Sequence, residues 1–227
     1  MVSTIIVAAG SGKRMGKSIN KVFLDLNGYP VLFHTIRAFE EHPEVDEIIL
    51  VLKEEEMAYY QQYFTGFGFQ KVRQLAAGGA ERMNSVRNGL NCLGEDSELV
   101  LIHDGARPFV RSELITEGIE QARRWGAACP GVVPKDTIKR VDEEGLIYAE
   151  LPRDQLRALQ TPQVFRTAKL RELMERAFSK GMLYTDDTAL FVEAGESVKI
   201  FPGDYHNLKI TTAEDLELGR ILMMDVD

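Results

Sequence analysis

The residues best suited to chemistry sit at the front of the chain. The run Ser3-Thr4-Ile5-Ile6-Val7 opens into Ala8-Ala9-Gly10-Ser11-Gly12-Lys13-Arg14-Met15-Gly16, with Lys17 and Lys21 close behind and no acidic residue before Asp25. Glycine lets backbone N–H groups come close to a phosphate, and Lys and Arg neutralise charge that shifts during phosphoryl or nucleotidyl transfer. Two familiar phosphate loops fit poorly. A dinucleotide fingerprint has two residues between its second and third glycines, where this loop has Lys13, Arg14 and Met15. A Walker A loop needs glycine where Ser11 stands. The plain alternative is a strand-to-helix turn with solvated basic residues.

A second group lies near the middle of the chain, where Leu99-Val100-Leu101-Ile102 ends in His103-Asp104-Gly105-Ala106-Arg107-Pro108. Ligands of parallel α/β sheets gather beyond the carboxyl ends of strands, so Asp104 can share a crevice with the first loop. Its hard carboxylate suits Mg²⁺ bound against nucleotide phosphates, although Asp-Gly is also a common turn. His103 reads as a hydrogen-bonded structural residue, since a phosphate nucleophile is already ionised and needs no base. Gly78-Gly79-Ala80-Glu81-Arg82-Met83-Asn84-Ser85 can hold a base or sugar edge or simply start a helix. Thr185-Asp186-Asp187-Thr188 can cap a helix or touch substrate.

These groups need a scaffold to bring them together. Apolar runs alternate with helical patterns, which predicts an α/β fold with a mostly parallel sheet flanked by helices. Strands are expected at 3–7, 47–52, 71–76, 98–103, 127–133 and 197–201. Met83, Val86, Leu90 and Leu93 form one helical stripe, and Leu170, Leu173, Met174, Ala177 and Phe178 another. Thr211 and Glu214 have capping-box spacing ahead of a last helix that carries Leu218, Ile221 and Leu222 and should close the fold. Residues 137–149 break the rhythm and read as a hairpin. Two strands alone are marginal, so this arm, at about 135–153, should pack on its own domain or on a second subunit.

The 227 residues are 44% hydrophobic and 27% charged, with net charge −8, compatible with one domain spanning 1–227. The acidic balance argues against broad nucleic-acid binding, and a short basic loop can still hold a nucleotide. Cys92 and Cys129 are too few for a disulfide framework. No apolar run is long enough for a membrane span, so a cytoplasmic protein with no membrane partner is expected.

Taken in order, Ala8 to Met15, Lys21, His103 to Pro108, Asp136-Thr137-Ile138-Lys139, Thr161-Pro162-Gln163-Val164-Phe165 and Asn207-Leu208-Lys209-Ile210-Thr211 resemble the 2-C-methyl-D-erythritol 4-phosphate cytidylyltransferase family over nearly the whole chain. The resemblance implies a Rossmann-like nucleotidyltransferase fold, a homodimer joined through β-arms, CTP as co-substrate and Mg²⁺ or another divalent cation. It implies that Arg14, Lys21 and Lys209 are catalytic. Ala8, Ala9, Gly10, Gly12, Gly79, Ser85, Asp104 and Gly105 would bind the nucleotide, with Asp104 also holding the metal. Arg107, Thr137, Arg153, Thr161, Thr185 and Lys209 would surround the methylerythritol phosphate, Thr137 and Arg153 serving the neighbouring subunit. Ribitol-type polyol-phosphate cytidylyltransferases are the nearest alternative, and a catalytically silent nucleotide-binding protein is the alternative of a different class.

Overall fold

Unbroken runs of Val, Ile and Leu mark strands covered on both faces. The computed structural model describes residues 1–10 and 20–224. In chain order its elements begin with β1 (Val2–Val7), β2 (Asp25–Leu26), β3 (Tyr29–Pro30), α1 (Val31–Glu40), β4 (Glu47–Leu52), α2 (Glu54–Phe64), β5 (Val72–Ala77), α3 (Arg82–Leu90) and β6 (Leu99–Asp104). They continue with α4 (Ser112–Trp125), β7 (Ala127–Val132), β8 (Lys139–Val141), β9 (Ile147–Glu150), β10 (Ala158–Leu159), β11 (Gln163–Arg166), α5 (Thr167–Ser179), α6 (Thr188–Glu193), β12 (Lys199–Pro202) and α7 (Ala213–Met224). All six expected strands are present, with ends shifted by at most two residues.

The main sheet places β5, β4, β1 and β6 side by side and parallel. β11 follows, antiparallel to both β6 and β7, and β12 runs parallel to β7. Alternation along the strands divides the core. Ile6, Leu50 and Leu101 face α1, α2 and α4, whereas Ile5, Ile49, Val100 and Ile102 face α3, α5 and α6. The sheet is thus sandwiched, and every residue of β6 is buried, including His103 and Asp104.

A break in one strand shapes the site. β10 and β11 both pair antiparallel with β7, Leu159 opposite Gly131 and Val164 opposite Ala128, so one side has two more residues than the other. The surplus lies around Thr161-Pro162, whose peptide bond is cis. There the Thr161 hydroxyl, rather than a backbone carbonyl, accepts the Asp104 N–H at 3.1 Å.

Two expectations need correction. The start of α7 is capped by Thr212 and Asp215, because Asp215 Oδ2 accepts from the Thr211 and Thr212 N–H groups and the Asp215 N–H donates to Thr212 Oγ1. The box lies one residue later than the Thr211–Glu214 pair. In α7 the core contacts come from Leu216 and Gly219, whereas Leu218 and Ile221 are exposed. The expected hairpin is present as β8 and β9, turning at Gly145 with φ +85° while Asp142 Oδ1 accepts from the Glu144 and Leu146 N–H groups. It exposes Val141, Leu146, Ile147 and Tyr148.

Gly89 is where α3 comes closest to the sheet. A Cβ there would lie 2.7 Å from Ile5 Cγ2 and 3.1 Å from Val51 Cγ2, both on stiff β-branched side chains. Gly89→Ala should lower stability by about 1–3 kcal/mol, measured from the urea midpoint; an unchanged midpoint would show that the helix can move away without cost.

Candidate active site

At the carboxyl ends of β1, β4 and β6 the backbone keeps pairing past the strands. The Ala8 N–H donates to Val51 O, the Gly78 N–H to Leu52 O, and the Gly105 N–H to Val7 O. This close approach requires small residues. A Cβ on Gly105 would meet Ala8 Cβ at 2.9 Å, and one on Gly78 would collide with Ala9. Above this platform lies an open cavity of about 640 Å³. Of the expected residues, Ala8, Ala9, Gly10, Lys21, Gly79, Ser85, Asp104 and Lys209 line it. Ser85 Oγ accepts the Gly79 N–H at 3.0 Å and donates to Glu81 O, which folds the glycine loop over the start of α3.

Asp104 is the electrostatic centre. Its Oδ2 accepts from Lys209 Nζ at 2.7 Å and lies 3.6 Å from Arg107 Nε, while Oδ1 lies 3.5 Å from Arg82 Nε. Burial alone would raise its pKa, but Lys209 first, then Arg82 and Arg107, outweigh that and hold the carboxyl well below the usual carboxylate range. Arg82 also donates from Nη1 to Asp187 Oδ2 at 2.6 Å. It therefore joins the end of β6 to the segment that carries Thr185.

Behind Asp104 the hydrogen bonds assign each proton. Thr161 Oγ1 accepts from the Asp104 N–H, so its own proton goes to His103 Nδ1 at 3.0 Å, and His103 Nε2–H donates to Arg107 O at 3.1 Å. Arg107 Nη1 donates to Asn207 O, and Asn207 Nδ2 donates to Thr161 O. Burial pushes the His103 pKa down to about 3, so the ring is neutral and structural, in keeping with its sequence reading.

Other expected residues lie elsewhere. Thr161 is buried behind Asp104 with its hydroxyl committed on both sides. Gly105 is packed against Ala8, and the Arg107 guanidinium is turned toward Asn207 and Asp104. Thr185 is exposed beside Asp186. Thr137 and Arg153 are exposed on the arm, where Arg153 Nη1 donates to Lys135 O. Gly12 and Arg14 lie outside the described residues.

Sequence reasoning missed Arg82, Lys53 and Asn20, all on the cavity wall. A signal for Arg82 existed. A cation in the first turn of a helix opposes the macrodipole, so an arginine there needs carboxylate partners. Among the described residues no three His, Cys, Asp or Glu side chains gather for a metal. One hard carboxylate, with Oδ1 held only by the looser 3.5 Å contact, fits an ion that takes most of its ligands from phosphates and water.

The sheet order, the small-residue platform and the cation-ringed carboxylate beyond the strand ends define an α/β fold of the nucleotidyltransferase type. The model of the 2-C-methyl-D-erythritol 4-phosphate cytidylyltransferase (IspD) family matches residues 2–225, and the chain belongs to that family. It is 49% identical over 220 residues to the 2-C-methyl-D-erythritol 4-phosphate cytidylyltransferase of Alkaliphilus metalliredigens, covering 96% of this chain and 91% of the relative. Among solved structures it superposes on the 4-diphosphocytidyl-2C-methyl-D-erythritol synthase of Anaerococcus prevotii with TM-score 0.87 and 33% identity, covering 98% and 96% of the two chains. The cytidylyltransferase of Thermus thermophilus gives TM-score 0.78 and 32% identity, covering 97% and 98%.

Arg82→Ala would leave Asp187, 1% exposed, without its cation. A loss of about 3–5 kcal/mol is expected in chemical denaturation, and Asp187→Asn in the same chain should recover part of it. No recovery would mean that the pair is not the source of the loss.

Proposed function

We propose that this chain transfers a cytidylyl group from CTP to 2-C-methyl-D-erythritol 4-phosphate, giving 4-diphosphocytidyl-2-C-methyl-D-erythritol and pyrophosphate in non-mevalonate isoprenoid biosynthesis. The observation that carries this reading is the meeting of Lys21, Lys209 and Arg82 with Asp104 around one cavity. In the reaction a 4-phosphate oxygen forms a bond to the α-phosphorus of CTP, and the bond from that phosphorus to the bridging oxygen of pyrophosphate breaks. The attacking phosphate is already anionic near neutral pH, so positioning and charge stabilisation dominate.

Lys21, with Arg14 seven positions earlier in the sequence, is assigned to charge building up on the triphosphate. Lys209, held at 2.7 Å by Asp104, also lines the cavity and can orient the acceptor phosphate. Ala8, Ala9, Gly10 and Gly12 supply backbone to the nucleotide, while Gly79 and Ser85 shape the cytidine side. Gly105 serves by letting the backbone ends approach, and Thr161 by holding the Asp104 backbone. Arg107 and Thr185 are the remaining acceptor-side candidates of this chain. Asp104 would hold Mg²⁺ or a related ion, which when bound neutralises phosphate charge.

The chain is read as one catalytic unit that works as a homodimer. Support comes from the apolar arm residues Val141, Leu146, Ile147 and Tyr148, all more than half exposed. Thr137 and Arg153 belong to this arm and do not line their own chain's cavity. A partner's cavity gives them a role. No helix among the described residues is long and apolar enough to cross a membrane. A reaction that consumes CTP belongs in the cytoplasm.

With CTP and Mg²⁺, methylerythritol phosphate should release pyrophosphate far faster than ribitol phosphate in a paired assay. The opposite preference would reassign the acceptor, and release with neither would leave only nucleotide binding. Light scattering should give the mass of a dimer, and Ile147→Glu should shift it toward monomer; a monomeric parent protein would remove the arm from assembly.

A further inference from the structure

Lys21 opens a 3-10 turn, Lys21–Phe23, whose N-cap is Asn20. Asn20 is 4% exposed, and a buried amide is stable only when its hydrogen bonds are made. Its Nδ2 donates to Ala8 O at 2.9 Å and to Glu56 Oε2 at 3.0 Å, and its Oδ1 accepts from the Val22 N–H at 3.4 Å. Both Nδ2 hydrogens face oxygen acceptors, so a flipped amide would set its own oxygen against a carbonyl and a carboxylate.

Glu56, in the first turn of α2, is largely buried, and its second oxygen lies 3.6 Å from Lys53 Nζ. Ala8 and Asn20 stand at the two ends of the basic loop. The side-chain bond between them, across 12 positions of sequence, ties Asn20 to the strand end, and Glu56 secures Asn20 from α2.

We infer that Asn20 and Glu56 form a positioning clamp that sets the Lys21 backbone relative to Ala8, and so aims the lysine at the reacting phosphorus. The inference rests on the reading of Lys21 as a residue that stabilises the transition state. Lysine is flexible, so what its neighbours can fix is the point from which it reaches. An error there falls on the step in which charge moves, more than on ground-state CTP binding, which draws on the cavity's other contacts.

The test is a mutant cycle with kcat and KM for CTP measured separately and folding followed by thermal melting. Lys21→Ala should lower kcat on the order of 100-fold or more. Asn20→Ala should lower kcat by about 10–100-fold, with KM for CTP changed by less than about 3-fold. Asn20→Asp should do no better, despite its matched size, because it presents oxygen to Ala8 O and Glu56. In the Lys21→Ala background, Asn20→Ala should cost almost nothing further.

Losses that multiply in the double variant, or an Asn20→Ala effect confined to KM, would overturn the clamp while leaving the role of Lys21 standing. An unaffected Lys21→Ala would overturn that role and the clamp together. If both Asn20 variants melt below the assay temperature, the Glu56 variants decide. Glu56→Gln keeps an acceptor for Nδ2 and should lose less kcat than Glu56→Ala, and both differences should vanish in the Lys21→Ala background; equal losses, or losses that persist there, would overturn the clamp.

Discussion

A single carboxylate buried among cations, at the end of a strand covered on both sides, is the constraint around which this molecule is arranged. Asp104 would be costly to keep charged at that depth without Lys209, Arg82 and Arg107. Each cation comes from a different part of the chain: the segment before α7, the start of α3 and the turn after β6. Satisfying one acid therefore draws two distant segments, around 82 and 209, onto the turn that follows β6. The requirement that folds the site also gathers its cations at the rim of one cavity.

The same economy operates behind the carboxylate. The surplus residues around Thr161-Pro162 put a hydroxyl where a ladder carbonyl would stand, and His103 Nδ1 accepts the hydrogen bond that this hydroxyl donates. A neutral imidazole is suited to this task because it accepts at one nitrogen and donates at the other, whereas an imidazolium would offer Thr161 a second donor. The depressed pKa of His103 is thus a condition of the scaffold holding Asp104 in place.

Much of this was legible in the sequence, for identifiable reasons. The strands at 47–52 and 98–103 are long, apolar and unbroken, so periodicity and burial agree. The loop after β1 and the His103–Pro108 segment announce themselves by composition. What escaped was short or depended on tertiary partners. β10 is a two-residue strand and β11 follows directly on a proline, which gives neither a readable alternation. Arg82 was passed over because its two carboxylates arrive from 104 and 187. Asn20 looks like a turn residue until Glu56 is brought beside it by α2. The α7 cap slipped by one residue because Thr211-Thr212 and Glu214-Asp215 offer two equivalent spacings, and only the bond to Asp215 separates them.

The arm leaves the sheet after Val132 and the chain re-enters at Ala158, two residues that pair with each other across one ladder. Everything between them is a side excursion with neighbouring endpoints, and the entropy of closing such an excursion grows only slowly with its length. A lineage can therefore lengthen, trim or resurface this appendage while the strand order beneath it stays intact. The length and surface of this appendage are thereby free to drift, whereas the strand ends that carry Asp104 and its cations are held to one design.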